Sequence, residues 1–232
     1  MPACHPLDNP IWNALNTEHA AFALGGELAR RYPPEIGPLS GMTGQSLESY
    51  EALRLLSGPA GVVGLFLEDQ PAPPPGWTMV RDGLMTQMIC PDSETPEQVP
   101  LPNVTIRRLT TTDVSAMLEL AKLTEPGPFL QRTSELGAFW GVFGAGRLLA
   151  MAGQRLHLPQ FVEISAVCTH PDARGRGYAR ALMLLAMQEI RQRGKIPFLH
   201  AFADNYPAIR VYEGLGFSQR RTLNLAILRK DS

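Results

Sequence analysis

The order of apolar and polar residues predicts alternating strands and helices over the second half of the chain. The segments VTIRRL and FVEISAVCTHP are typical of strands, and FWGVFGAGRLLAMAGQRLHL is typical of a hairpin that turns at Gly144–Gly146. Apolar residues recur at helical spacing from Thr110 to Leu123 and from Ala179 to about Arg193, where Gly194 would end the helix. The strands IPFLHAFA and LNLAILRK flank a short helix in NYPAIRVYEGLG. The predicted order is therefore β-α-β-β-β-α-β-α-β.

The first half contains fewer and less regular elements. Asn9 and Pro10 can begin a helix whose apolar spacing continues towards Arg31, and Pro33–Pro34 would stop it. A second helix is predicted from Ser46 to Leu56. GVVGLFLED and LMTQMIC read as strands, and the proline-rich segment QPAPPPGW between them reads as a loop.

A domain boundary is predicted in PDSETPEQVPLPN, which contains four prolines and has no periodicity. We therefore divide the chain into an N-terminal α/β extension, residues 1–98, and a larger domain, residues 99–232.

Composition narrows the classes of function. The chain has 232 residues, 44% of them hydrophobic, and a formal net charge of −1, so we expect neither a nucleic-acid partner nor a membrane partner. The three cysteines, Cys4, Cys90 and Cys168, fit no zinc spacing and no disulfide framework, so we expect no metal and a cytoplasmic location. The first residues also lack the pattern of a signal peptide.

Glycines and arginines are concentrated in HPDARGRGYARALM, between a predicted strand and a predicted helix. Glycine lets backbone N–H groups turn towards a ligand, and the start of a helix attracts anions, phosphate above all. Arg174, Arg176 and Arg180 would add positive charge. The alternative is a solvated turn that only begins the helix. Neither a Walker loop nor a three-glycine dinucleotide fingerprint is present.

Two motifs resemble those of the GNAT superfamily of acyl-CoA N-acyltransferases. Arg174-x-x-Gly177-x-Ala179 is similar to the loop that binds the pyrophosphate of acyl-CoA, and the segment from Asn205 to Phe217 is similar to the next signature of that superfamily. The resemblance covers residues 103–229. It implies an α/β (α+β) GNAT fold, with a mixed, mostly antiparallel sheet, a splayed pair of parallel strands and flanking helices, preceded by the N-terminal α/β extension.

The resemblance also implies site residues. Tyr212 would be the acid that protonates the leaving sulfur, with an anchoring aromatic as its alternative role. Glu163 would be a base with a raised pKa, although a polar residue pairing across the sheet or an ordered water as base remains equally open. Asn205 would contact the cofactor arm, cap the helix, or do both. The residues implied to contact the pantetheine arm and the pyrophosphate are Val167, Cys168, Thr169, Arg174, Gly175, Arg176, Gly177, Tyr178, Ala179 and Arg180. The Cys168 side chain itself is expected to lie in the core.

The resulting hypothesis is an enzyme that transfers an acetyl or other acyl group directly from acetyl-CoA, or another acyl-CoA, to a primary amine. That amine would belong to a small molecule, a peptide or a protein. One alternative is a GNAT-fold module that binds acyl-CoA without turnover. The other is an unrelated nucleotide-binding α/β protein, which the absence of both phosphate fingerprints disfavours. In this fold the acceptor groove is expected to be built from loops and the N-terminal additions, such as TEPGPF and the proline-rich turns.

Overall fold

The computed structural model describes residues 5–59, 61–91 and 100–231. These ranges contain five α-helices: α1 (Pro10–Asn16), α2 (Leu47–Leu56), α3 (Val114–Thr124), α4 (Tyr178–Gln192) and α5 (Tyr206–Glu213). Short 3-10 helices lie at Pro6–Asp8, Ala20–Phe22, Thr111–Asp113, Thr133–Leu136 and Pro171–Ala173. None of the helices in the described ranges is long and apolar enough to cross a membrane.

Eleven strands occur in the same ranges. Those before the boundary segment are β1 (Leu24–Gly25), β2 (Ala29–Arg31), β3 (Ser40–Met42), β4 (Val62–Leu67) and β5 (Trp77–Ile89). Those after it are β6 (Thr105–Arg108), β7 (Phe139–Gly144), β8 (Arg147–His157), β9 (Phe161–Thr169), β10 (Ile196–Phe202) and β11 (Ser218–Lys230). The predicted order of the second half is confirmed.

Local sequence explains several of these boundaries. Ser46 caps α2, because its hydroxyl accepts a hydrogen bond from the Ser49 backbone N–H at 3.2 Å. Ala145 and Gly146 have φ angles of +49° and +76°, the left-handed pair that a two-residue hairpin turn requires between β7 and β8. Gly194, with φ +68°, follows the last turn of α4 as predicted.

The predicted continuation of the first helix towards Arg31 is wrong, because α1 ends at Asn16. The side chains of Asn16 and Thr17 donate hydrogen bonds to the backbone carbonyls of Trp12 and Asn13, at 2.7 and 2.6 Å. Such side chains compete with the helical backbone and favour its termination. The chain continues into a 3-10 turn and the small sheet β1-β2-β3.

The main sheet has eight strands in the order β4-β11-β5-β10-β9-β8-β7-β6. Neighbours pair antiparallel, except for β9 and β10, which are parallel. β5 lies between β10 and β11, so strands from both sides of the predicted boundary share one sheet. The boundary itself, at 98/99, lies within residues 92–99, which are outside the described ranges, and it stays a prediction.

Apolar residues cover both faces of the sheet. On one face, α4 buries Leu182, Met183, Ala186, Met187 and Ile190 against residues of β8, β9 and β10. Each fully buried leucine, methionine or isoleucine side chain among them contributes roughly 1.5–3 kcal/mol to folding. On the opposite face, α1 and the N-terminal segment pack on residues of β4, β11, β5, β10, β9 and β8, and α3 packs on residues of β7, β8 and β9. The parallel pair β9–β10 is therefore enclosed from both sides.

Candidate active site

A cleft opens in the sheet between β9 and β10. The two strands pair only through Ile196–Phe161, Pro197–Val162 and Phe198–Glu163. Beyond that point β10 continues along β5 to Phe202, whereas β9 continues along β8 to Thr169. The expected splayed parallel pair is thus present, and its vertex lies at Phe198 and Glu163.

A bulge in β9 borders the cleft. Ala166 has φ +52°, and the register with β8 shifts by one residue between Ser165 and Cys168. A bulge leaves an extra residue unpaired and redirects the local backbone. The main-chain groups of Ala166 and Val167 are consequently released from regular pairing with β8 on the arm of the cleft that β9 forms.

The loop after β9 prepares the beginning of α4 for an anion. Gly175 and Gly177 have φ +75° and +77°, and Gly177 is the N-cap residue without a side-chain cap. The first N–H groups of a helix have no partner within it, and they carry the positive end of its dipole. A Cβ built on Gly175 would meet no described atom within 4 Å, and one on Gly177 would meet only Leu101, at 3.9 Å. The loop therefore offers donors and open space, which fits a pyrophosphate.

The side chains of this loop have different surroundings. Arg174 and Arg176 are exposed, and Arg176 donates to the Asp172 carbonyl at 3.1 Å. Tyr178 is buried against the α4 side of the core. Tyr178 and Ala179 are the first two residues of α4, so their backbone N–H groups belong to the start of the helix. His170 shapes the turn, because its Nδ1 accepts a hydrogen bond from the Asp172 N–H at 3.3 Å.

Cys168 and Thr169 complete the arm of the cleft that β9 forms. The Cys168 side chain is buried near α3, and burial raises the pKa of its thiol to about 11, despite hydrogen bonds that lower it. The expected core position of this side chain is confirmed. Thr169 is partly exposed at the end of β9.

Three residues separate the end of β10, which forms the other arm of the cleft, from the start of α5. Asn205 caps it, because its side-chain oxygen accepts a hydrogen bond from the Ala208 N–H at 3.3 Å. Tyr212 packs on the same face of the sheet as α4 and contacts Phe217 edge-on, with ring centroids 6.4 Å apart. Burial raises the pKa of Tyr212 to about 12, so its hydroxyl keeps a transferable proton at neutral pH.

Glu163 lies at the vertex of the cleft, and the expectation of a raised pKa is wrong. Its side chain is fully buried, which by itself raises the pKa, but Arg155 donates to both carboxylate oxygens, at 2.7 and 2.8 Å. His200 Nδ1 lies 2.7 Å from Oε1. The charge of Arg155 and these hydrogen bonds outweigh burial and lower the pKa to about 2. A carboxylate of that kind is a weak base at neutral pH.

Three residues of this environment were not singled out from the sequence: Arg155, His200 and Gln87. His200 comes from β10, and Gln87 comes from β5, on the other side of the predicted boundary. Only the pairing of strands brings them to Glu163, so no local pattern could have identified them. Among the described residues, no group of three or more His, Cys, Asp or Glu side chains could hold a metal ion.

A structure that matches the whole chain decides the family. A GNAT-family protein from Novosphingobium aromaticivorans DSM 12444 is 38% identical, with a TM-score of 0.90, over 99% of this chain and 100% of its own. The chain belongs to the GNAT superfamily of acyl-CoA N-acyltransferases. The FR47-like protein family also matches residues 139–225, which include both motifs.

Other proteins match less closely. A GCN5-related N-acetyltransferase from Kribbella flavida has a TM-score of 0.60 over 96% of both chains, and at 16% identity it supports the fold alone. Mycothiol acetyltransferase of Actinosynnema mirum is 37% identical over 84 residues, 36% of this chain and 28% of that protein. The same enzyme of Mycobacterium ulcerans is 32% identical over 102 residues, 40% of this chain and 32% of that protein. The chain therefore matches less than a third of the length of these curated relatives.

Proposed function

We propose that the chain transfers an acetyl group from acetyl-CoA directly to a primary amine. The observation that carries this proposal is the combination of a cleft between β9 and β10 with a glycine-capped helix start beside it. The cleft suits the extended pantetheine arm, and the helix start suits the pyrophosphate. The cytoplasm is the proposed location, because the three cysteines of the sequence fit no disulfide framework.

In this proposal the main chain holds the donor. Backbone groups of Val167 and Thr169 pair with the pantetheine arm, and the N–H groups from Arg174 to Arg180 bind the pyrophosphate. An N–H near Val167 donates to the thioester carbonyl, and it stabilises the negative charge that develops there as the amine attacks. The Ala166 bulge supports this role, because it directs the neighbouring backbone away from β8.

Proton transfer involves two different partners. The Tyr212 hydroxyl protonates the departing sulfur, and its raised pKa keeps it in the acidic form. The amine loses its proton to an ordered water, since the Glu163 carboxylate is already bonded to Arg155 and His200.

The acceptor is proposed to approach between the N-terminal segment and the loop after α3. Thr133 donates to the Ile36 carbonyl at 2.6 Å, and the Arg132 N–H donates to the Glu35 carbonyl at 3.1 Å. These bonds hold the two segments together around a cavity that has room for about one water molecule, so the acceptor would lie at the edge of this contact and not inside the cavity. Its lining is mostly apolar and includes Arg155: Tyr32, Ile36, Gly37, Pro38, Leu39, Pro128, Thr133, Leu136 and Arg155.

Two measurements test the proposal. Thermal shifts with acetyl-CoA, CoA, ATP and NAD should show stabilisation by the CoA species alone. Thiol release from acetyl-CoA should then depend on one class within a panel of amines, amino acids and peptides. Stabilisation by ATP or NAD without any CoA species would refute the proposal, and CoA binding without release across the panel would indicate a binding module instead.

A further inference from the structure

Five polar side chains form a row across the sheet at the level where the cleft opens. They come from five adjacent strands, one from each: Arg155 (β8), Glu163 (β9), His200 (β10), Gln87 (β5) and Arg220 (β11). We call these five residues the vertex row.

Hydrogen bonds connect every neighbouring pair in the vertex row. Arg155 donates to both oxygens of Glu163, and His200 Nδ1 is 2.7 Å from Glu163 Oε1. Gln87 Nε2 lies 3.0 Å from His200 Nε2, and Arg220 Nη1 donates to Gln87 Oε1 at 2.8 Å. The row thus bonds five strands together through side chains, in addition to their backbone pairing.

These partners determine the protonation state of His200. The Gln87 amide is oriented by Arg220, which donates to its oxygen, and by the Leu7 carbonyl, which accepts from its nitrogen at 2.9 Å. The Gln87 nitrogen is therefore the donor to His200 Nε2, which must accept. His200 is then neutral with its proton on Nδ1, and that proton is donated to Glu163.

The middle of the vertex row is sealed from solvent. Glu163 and Gln87 are 0% exposed, as is the His200 side chain. A buried polar network is stabilising only when each member is satisfied, so this row specifies one arrangement of its strands. Glu163 is also the last residue of β9 that pairs with β10. His200 lies two residues further along β10 than Phe198, which pairs with Glu163. The hydrogen bond between the side chains of Glu163 and His200 therefore crosses the gap where the two strands begin to separate.

We propose that Glu163 and His200 are positioning residues, which fix the width of the cleft and hence the affinity for acetyl-CoA. This inference rests on the proposed function, because it assigns the cleft to the pantetheine arm. It differs from the role of base that the motif implies for Glu163. The Glu163 carboxylate is sealed from solvent, so an incoming amine cannot reach it. It also accepts three hydrogen bonds, which make its oxygens too weakly basic to remove the proton of the amine.

The first experiment compares Glu163→Gln with the double variant Arg155→Met/Glu163→Gln. Glutamine can still accept from His200, but the single variant leaves the Arg155 charge buried without its counter-ion, and the double variant removes that charge. We expect the Kd for acetyl-CoA, measured by calorimetry, to rise about tenfold or more in the single variant and to return to within about threefold of wild type in the double variant.

A base would behave differently. If Glu163 accepts the amine proton, kcat should fall by about 100-fold or more in both variants while the Kd stays unchanged, and that result would overturn the proposal. An unchanged Kd and kcat in the single variant would overturn it too. Leu53→Ala is the control for general destabilisation, because Leu53 is fully buried in α2 among residues of β4, away from the vertex row. It should lower Tm and leave the Kd unchanged.

A second pair of variants decides the question if Glu163→Gln does not fold. In His200→Asn the amide nitrogen can replace Nδ1 as donor to Glu163, whereas His200→Leu removes the donor. We expect the Kd of the first to stay within about threefold of wild type and that of the second to rise about tenfold. Equal Kd values would contradict the proposal. If the wild type itself binds no CoA species, the proposed function fails and this inference with it, so the two failures are distinguishable.

Discussion

Gly177 has a left-handed backbone at the point where the proposed pyrophosphate site begins, with φ +77°. Replacing it with alanine costs about 1–2 kcal/mol of folding free energy at such an angle, and adds a Cβ where the phosphates would lie. Gly194, at φ +68° beyond the other end of α4, is a matched control. We expect both alanine variants to lower Tm, but only Gly177→Ala to raise the KM for acetyl-CoA, by about tenfold. Equal KM values would contradict the assignment of the loop.

Tyr212 is the one side chain in the proposal that donates a proton. Phenylalanine keeps the ring contact with Phe217 and removes the hydroxyl, so Tyr212→Phe should lower kcat about 100-fold with little change in the KM for acetyl-CoA. Tyr206→Phe, at an exposed position on the same helix, should leave kcat unchanged. Because the acid is active while protonated and its pKa is about 12, its titration should not reduce kcat below about pH 10. Unchanged kcat in Tyr212→Phe would remove the assigned acid.

The bulge in β9 is the element that prepares the cleft, and Ala166 has a strained angle within it. Ala145, in the turn between β7 and β8, has a similar angle, +49° against +52°, and is a control outside the site. Replacing either residue with glycine relieves left-handed strain, so each variant should gain up to about 1 kcal/mol in the free energy of unfolding.

Their activities should differ. Glycine at position 166 makes the bulge and its backbone N–H donors more mobile. Ala166→Gly should therefore lower kcat/KM about tenfold, whereas Ala145→Gly should keep the wild-type value. Thiol-release kinetics on both variants provide the measurement. Identical kinetics would indicate that the bulge does not position the reacting groups.

Two imidazoles, the buried His19 and the partly buried His157, connect the N-terminal segment with β8. His19 stacks on His157 with ring centroids 5.0 Å apart, and its Nδ1 lies 2.7 Å from the Tyr32 hydroxyl. Burial lowers the pKa of His19 to about 3 and that of His157 to about 4, and Lys195 adds to both shifts. Both rings are therefore neutral in the folded protein near pH 5, whereas unfolded histidine titrates near 6.5.

This difference predicts acid sensitivity of the whole molecule. Between about pH 6 and pH 4 the unfolded chain binds about two more protons at these residues, so the free energy of unfolding falls by up to about 2.7 kcal/mol per pH unit. Urea titrations at pH 7, 6 and 5 measure this slope. His157→Gln should reduce it by about half, and an unaltered slope in that variant would contradict the account.

Features that depend on residues close together in the sequence could be predicted, whereas features that depend on contacts between distant segments could not. The elements of the second half follow from apolar periodicity and from glycines such as Gly177 and Gly194, which act within a few residues. The position of β5 between β10 and β11 follows from pairing between distant segments, and no local pattern contains it. The pKa of Glu163 was mispredicted for the same reason, because Arg155 and His200 lie on other strands.

Transfer of a labelled acetyl group tests the central claim most directly. Acetyl-CoA labelled with ¹³C in the acetyl group is incubated with the protein and the amine that best accelerates thiol release, and the products are identified by mass spectrometry. We predict one labelled amide formed on the acceptor for each CoA thiol released. Thiol release with the label recovered as free acetate, or no release with any amine, would contradict direct acetyl transfer to an amine.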